Sequence, residues 1–484
     1  MKAHNRRLAL AGLLGLLAVA AASPAPATAA EPAAYSVDFV SSPAWGNAMN
    51  DQGVAVGVLA TLPPGCTPST CAPVYQTVVW SGDMVIPLPL LPGFSTVTAV
   101  SINASGWVAG YAGDPTTTGA RAVVWKPTGT SYTVINLGVL PDTTSSWAAG
   151  IDDLGRAVGW STDVGAFPTT TAPFVWTEAS GMVNLAAQGF PNDIPLAISP
   201  GGTVATPDYW YRLGQPSSVT PLASPPPGFS GPGSYPAAIN DAGDQVRFQI
   251  STGTEFFPYL FRYNHAGTWQ QIWFLPAGDQ APYSIGSINA AGDITATVGG
   301  VGLIAYGPDG LGEALSAKLS PAYGGGATAD MTIVPTGGPI TASGQILARV
   351  MIGRSARLLR LVAAEPCATG CIRVASIQMV GKMIGFPKGQ CTSRASNYVT
   401  ATLTVTDEAG KALSGATATG RFLDDYYLDE RVTGTTGSNG TVKFTHKGPA
   451  CVGATAILVD DVTKTGRVLD FTTGTLWDDV IPQP

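Results

Sequence analysis

Residues able to run common hydrolytic chemistry are scarce in this chain. Of 484 residues three are histidine: His4, His265 and His446. No two are spaced to hold one metal, and a Ser-His-Asp arrangement would have to use His265 or His446 once a leader carrying His4 is removed. The sequences Gly-x-Ser-x-Gly, His-Glu-x-x-His, Gly-x-Gly-x-x-Gly and the Walker loop do not occur, which removes the common hydrolases and nucleotide users.

Carboxylates and aromatics remain. A glycosidase needs two carboxylates across one bond, and Asp152-Asp153 and Asp241 are available. Each lies in a repeated turn, however, where Asp ordinarily serves local hydrogen bonding. The densest acidic stretch is Asp424-Asp425-Tyr426-Tyr427-Leu428-Asp429-Glu430. It reads as a solvated strand end, or as a Ca²⁺ site through Asp424, Asp425, Asp429 and Glu430, because hard cations gather several carboxylate oxygens. The spacing is not that of an EF-hand, and no other cofactor is expected. Asp460-Asp461 carries the same two readings. Trp45, Trp147 and Tyr235 each stand four residues before a recurrent apolar anchor. If that strand lines a channel, the three rings meet near one mouth, where they can stack on a sugar or a partner. Packing between repeats is the competing reading.

The anchor belongs to a turn that recurs seven times, clearest in Ile239-Asn240-Asp241-Ala242-Gly243. The other copies are Met49–Gly53, Ile102–Gly106, Ile151–Gly155, Ile198–Gly202, Ile288–Gly292 and Ile340–Gly344. Asn, Asp, Ser or Thr followed three residues later by Gly suits a type I turn ending in positive φ, and the apolar flanks make it a β-hairpin. A second signature follows the hairpin, strongest in Thr77–Trp80, Ala122–Trp125 and Pro173–Trp176, with a short fourth strand after it, as in Met84–Ile86 and Thr133–Leu137. Four strands per repeat at a period of about 40–50 residues predict β-propeller blades. The seventh repeat ends near Leu361 without a fourth strand. The unassigned strand Tyr35–Val40 is expected to fill that place beside Ser355–Leu361 and hide the open edge.

The hairpin, the Trp-ended strand and the Gly181–Leu185 pattern, together with Ile102–Gly110 and Ile135–Pro141, resemble the HAF-repeat family of extracellular bacterial proteins over about residues 44–361. The His-Ala-Phe triplet itself is missing; Phe174 is what survives of it in the strong copies. The resemblance implies a secreted β-propeller and no particular activity. After Leu361 the texture changes. Tyr398–Thr406 alternates with period two, Asp407–Gly410 turns, and Leu413–Gly420 is expected to return; Thr441–Phe444 and Ala454–Val459 are further strands. The Asp-Glu-x-Gly and Ser-Asn-Gly patterns resemble Ig-like modules appended to bacterial secreted proteins. The expected organisation is all-β: a signal peptide over 1–30, a seven-bladed propeller over 31–362, a stapled linker over 363–371 and a β-sandwich over 372–484.

The leader reading rests on Lys2, Arg6 and Arg7, the apolar run Leu8–Ala22 and the small residues ending at Ala30. Cleavage there lowers Lys+Arg from 25 to 22 against 32 Asp+Glu, a net charge of −10. Such a chain is a poor nucleic-acid binder, and no second apolar run suggests membrane insertion. Six cysteines in an exported chain suggest disulfides Cys66–Cys71, Cys367–Cys371 and Cys391–Cys451. A monomeric, non-enzymatic protein that binds a glycan or a cell-surface protein is the expectation. A polysaccharide hydrolase with carboxylates in the channel is the alternative.

Overall fold

In the computed structural model the described residues are 32, 34–40, 44–63, 71–82, 84–113, 119–164, 171–230, 236–251, 258–273, 284–298, 301–324, 335–352, 355–384, 396–424, 428–449 and 453–482. The leader, Tyr235, Cys66, Cys391, Cys451 and Asp425 lie outside them. Among the described residues the regular structure is β, apart from three short 3₁₀ turns. No helix there is long and apolar enough to cross a membrane.

The protein is a β-propeller built from sheets whose strands follow one another in chain order. Sheet one runs Ala44–Met49, Ala55–Thr61, Val74–Ser81 and Met84–Pro87. Sheet two runs Val97–Ile102, Val108–Ala112, Arg121–Thr128 and Ser131–Gly138, and sheet three Ser145–Ile151, Ala157–Thr162, Thr171–Thr177 and Gly181–Asn184. Sheet four comprises Ala197–Ile198, Thr203–Ala205, Tyr209–Arg212 and Gln215–Pro221. Sheet five holds Pro236–Ile239, Gln245–Ser251, Pro258–Tyr263 and Trp269–Trp273, and sheet six Ser284–Ile288, Ile294–Val298, Val301–Ala305 and Glu313–Ala314. Sheet seven has Pro335–Thr336, Ile346–Ile352 and Ser355–Ala364. Its outermost strand is Ala34–Val40, antiparallel to Ser355–Ala364 with Tyr35 opposite Ala363 and Val37 opposite Leu361. The strand left over at the N-terminus therefore does take the empty place, and Tyr35 and Val37 are buried there.

Apolar residues on facing sheets knit neighbours together. Val56 and Val79 of sheet one pack with Ala99 and Val123 of sheet two, and Leu347 and Leu358 of sheet seven pack with Ala44 and Val78 of sheet one. Trp80, Trp125 and Trp176 are buried in these layers. Sheet five differs from its neighbours. The segment between sheets four and five supplies an extra strand, Phe229–Ser230, which pairs with Ser251 and Ile250, and Phe229 sets its ring edge-on to Tyr259 and Phe261 at 5.1 and 4.9 Å.

The first strand of five sheets carries a register shift, between Gly46 and Ala48, Ala99 and Ser101, Ala148 and Gly150, Pro236 and Ala238, and Ile285 and Ser287. One residue bulges out at each. In three of these sheets the first-strand backbone also lies close to the second strand. A Cβ built on Gly57, Gly110 or Gly159 would meet a main-chain oxygen at 2.0–2.1 Å. The crowding leaves no room for a side chain at these three positions, each four residues after the turn Gly. Gly159→Ala, whose Cβ also meets Phe174 at 2.9 Å, is expected to destabilise by about 1–3 kcal/mol as overpacking. A urea midpoint measured beside Gly344→Ala separates this from strain alone, since Gly344 has positive φ but open space around it.

Two further four-stranded sheets follow. Sheet eight is ordered Thr441–Pro449, Ser396–Asp407, Cys371–Ile384, Val468–Leu469, and sheet nine Asp429–Thr435, Thr417–Asp424, Thr455–Thr463, Trp477–Val480. The turn at Asp407–Gly410 forms, with Gly410 at φ 79°. Leu413–Gly420 returns beside the preceding strand only at its first residue, where the Leu413 N–H donates to Val405 O at 2.9 Å; Thr417–Asp424 lies in sheet nine between Asp429–Thr435 and Thr455–Thr463. Ser396–Asp407 is flanked by Cys371–Ile384 along its full length and by Thr441–Pro449 from Ser396 to Thr404. Cys367 and Cys371 are bridged. Sheets seven to nine share one apolar core that includes Tyr35, Leu361, Val374 and Trp477. The fully buried Arg357 of sheet seven donates to the carbonyls of Asp424 and Leu428 at 3.1 and 2.8 Å.

Candidate functional site

The seven turns converge. All seven glycines, from Gly53 to Gly344, have φ between 74° and 96°, and each donates its N–H to the carbonyl three residues earlier at 2.9–3.1 Å. The leading side chain does a second job. Asn50, Asn103, Asp152, Ser199, Asn240, Asn289 and Thr341 each accept, through a side-chain oxygen, the N–H four residues on at 2.8–3.0 Å. This local bond holds the turn shut in every copy and explains why Asn, Asp, Ser and Thr all serve there.

Where the side chain is Asn, its amide has a donor left over, and that donor crosses to the next sheet. Asn50 Nδ2 donates to Asn103 O at 3.0 Å, and Asn103 Nδ2 to Asp152 O at 2.9 Å. Asn240 Nδ2 donates to Asn289 O at 3.2 Å, and Asn289 Nδ2 to Thr341 O at 3.1 Å. Asp152, Ser199 and Thr341 have no such amide, and other groups bridge those joints. Asp153 N donates to Pro200 O at 2.9 Å, Gly201 N to Asp241 Oδ1 at 2.7 Å, and Ala342 N to Asp51 Oδ1 at 2.6 Å. Every joint between consecutive sheets is thus hydrogen-bonded at the turns, and the last bond returns to sheet one. Buried Asp152 turns its second oxygen to Arg156 Nε at 2.6 Å. Desolvation pushes the Asp152 carboxyl above the usual range, against the lowering effect of Arg156.

Inside this ring lies an opening of about 420 Å³. Bulged Asn47, Ala149 and Gly286 face it, along with Ile151, Ile198 and Ile288. At its rim stand Asp51, Asp153 and Asp241, all exposed and all engaged: besides the bonds above, Asp153 Oδ1 accepts Ala104 N at 2.8 Å. No aromatic, histidine or basic side chain lines it among the described residues.

The structure places the anticipated aromatics elsewhere. The half-buried Trp45 lies 5.5 Å from Tyr75, and buried Trp147 stacks on Trp160 at 5.9 Å. Both rings therefore rest on their own sheets. The bulge at Ala149 interrupts the period-two alternation, so the lining at 149 does not extend to 147. Tyr235 falls outside the described residues. In the acidic stretch, Asp429 faces Arg421 at 3.4 Å, an arginine shared with Asp460 at 3.0 Å. Glu430 pairs with His446 Nδ1, and Asp424 Oδ1 accepts the Leu428 N–H at 2.9 Å. The described carboxylates are spent on these partners, and no group of three metal-binding side chains gathers among the described residues. His265 Nδ1 lies 2.9 Å from Asp244. Cys71 is disulfide-bonded. The Cys66–Cys71 and Cys391–Cys451 pairings involve residues outside those described.

No family model and no curated protein matches the chain. Among solved structures it is similar to TolB from Acinetobacter baumannii, at 14% identity over 64% of this chain and 81% of that one, TM-score 0.30. It is similar also to a gluconolactonase from Xanthomonas campestris, at 10% identity over 71% and 99%, TM-score 0.29. A third is GH43B of the Bacteroides ovatus xyloglucan locus, at 12% identity over 93% and 94%, TM-score 0.24.

Proposed function

We propose that the chain is an exported, non-enzymatic binding or adhesion protein of the HAF-repeat kind. A leader over 1–30 precedes a seven-bladed propeller over 31–362, and a linker over 363–371 joins it to an Ig-like β-sandwich over 372–484. Its ligand is a glycan or a cell-surface protein, met by the propeller's non-repeated loops. The observation that carries this reading is the use of the rim carboxylates. Asp51, Asp153 and Asp241 each accept a main-chain N–H from the preceding sheet at 2.6–2.8 Å, so they act as structural acceptors. A general acid needs instead an environment that holds its proton near the operating pH.

The competing reading, a polysaccharide hydrolase, rests on the same three carboxylates lining one opening. A glycan and cell-surface array with the mature protein, run beside a polysaccharide turnover assay, decides between them. Binding without turnover is expected. The triple variant Asp51→Asn, Asp153→Asn, Asp241→Asn keeps each acceptor oxygen and removes each charge, so it should bind as the parent does. Turnover by the parent that falls at least about 100-fold in this variant, the scale of a lost acid–base group, would overturn the reading.

A further inference from the structure

Sheets eight and nine end on Thr441–Pro449, Val468–Leu469, Asp429–Thr435 and Trp477–Val480, and the two-residue Val468–Leu469 leaves most of the neighbouring Cys371–Ile384 without a strand on its outer side among the described residues. Asp429–Thr435 carries Asp429, Glu430 and Arg431; Trp477–Val480 carries Asp478 and Asp479; Thr441–Pro449 carries Lys443, Lys447 and a terminal Pro. Charges and Pro are how natural sheets keep an edge from pairing with another chain. On its outer side Cys371–Ile384 pairs with Val468 and Leu469 at Cys371 and Ile372, and Ile372 O and Val374 O accept the N–H groups of Asp470 and Thr475, both at 2.8 Å. From Ser376 to Ile384 its outer side has no strand partner among the described residues, yet the run contains one charge, Lys382, and no Pro. Lys382 Nζ reaches back over the Tyr398 ring of the inner neighbour at 5.6 Å. Along the run, Val380 and Ile384 are 58% and 47% exposed.

We propose that this edge pairs with the same edge of a second copy of the chain. The two strands run antiparallel about a two-fold axis at Val380 and join two copies of sheet eight into one continuous sheet. The sequence is self-complementary in that register. Val380 faces Val380, Ser376 faces Ile384, and Lys382 of one copy faces Gln378 of the other, so no like charges meet. The single bulge on this strand, between Val374 and Ser376, lies outside the paired run. One strand pair is a small contact, below about 1,200 Å², so the dimer belongs to the weak class and forms with rising concentration.

The test is sedimentation equilibrium of the full mature chain from about 1 to 200 µM, a range chosen for a weak association. The weight-average mass should rise towards twice the monomer mass. Val380→Lys and Val380→Glu place like charges opposite themselves, and each should stay monomeric with unchanged circular dichroism. An equimolar mixture of the two should regain the dimer mass. A parent chain that stays monomeric across the range overturns the proposal. So does a dimer that survives Val380→Lys, or a mixture that remains monomeric.

Discussion

A chain that begins at Ala44, and so lacks Ala34–Val40, is expected to lose most of its stability. The deletion removes an entire outer strand from sheet seven, with its pairing from Ala34–Ala364 to Val40–Leu359. Tyr35 and Val37 are 1% and 3% exposed, and burial of two such side chains contributes about 1.5–3 kcal/mol each. Tyr35 O also accepts the Ser320 N–H at 2.7 Å, and Asp38 accepts from Arg360 Nε at 2.8 Å. Arg360 in turn donates to the Gly53 carbonyl at 3.1 Å, so the strand supports the joint between sheets seven and one. The summed loss, on the order of 5 kcal/mol or more, matches the whole stability of many domains. Thermal unfolding should broaden and its midpoint collapse. A synthetic peptide of residues 34–43 should restore the midpoint in a concentration-dependent way. An unchanged midpoint in the truncated chain would show that the ring holds without this strand.

Asn289→Ala carries the second largest expected effect. The Asn289 Oδ1 accepts the N–H groups of Ala291 and Asp293 at 3.0 and 2.9 Å. Its Nδ2 donates to Thr341 O at 3.1 Å and to Asp293 Oδ2 at 2.9 Å. The residue is 5% exposed, so water cannot replace all four bonds. A buried group left without its partner costs about 1–3 kcal/mol, which sets the expected loss near 3–5 kcal/mol with partial hydration. The protein contains its own control. Ser199 occupies the same turn position and keeps only the local acceptor. Asn289→Ser should therefore recover roughly half of the loss, since it restores one of the two kinds of bond. Denaturant midpoints of the two variants check both the size and the split. Equal losses would mean that the bond to the next sheet contributes nothing.

These turns also show how far the sequence could be read. The hairpin was legible because its local chemistry is self-contained: a side-chain acceptor, a tight turn and a Gly at positive φ. The closing strand was legible because counting strands left one over and one place empty. The C-terminal strand at Ser396–Asp407 announced itself by period-two alternation. The ring of bonds between sheets was not legible. An Asn that shuts its own turn looks the same in sequence whether or not its amide crosses to a neighbour. Nor was the first-strand bulge visible, and it was the bulge that moved Trp147 off the opening and onto Trp160. The partnering of Thr417–Asp424 with the other sheet failed for a related reason, because period-two alternation names a strand without naming the sheet it joins.

The closure of the ring through Asp51 is the point on which the architecture turns, and hydrogen exchange reads it directly. Ala342 donates its N–H to Asp51 Oδ1 across the joint between sheets seven and one. In the parent chain the amide of Ala342 should be protected to the same degree as those of Ala104 and Gly201, which make the equivalent bonds at the second and fourth turns. Asp51→Ala should raise exchange at Ala342 by an order of magnitude or more, since a lost bond of about 1.4 kcal/mol is tenfold in opening. Asp51→Asn, which keeps the acceptor, should leave it protected, and Ala104 and Gly201 should not change in either variant. Exchange at Ala342 that is fast in the parent, or unmoved by Asp51→Ala, would contradict a closed ring.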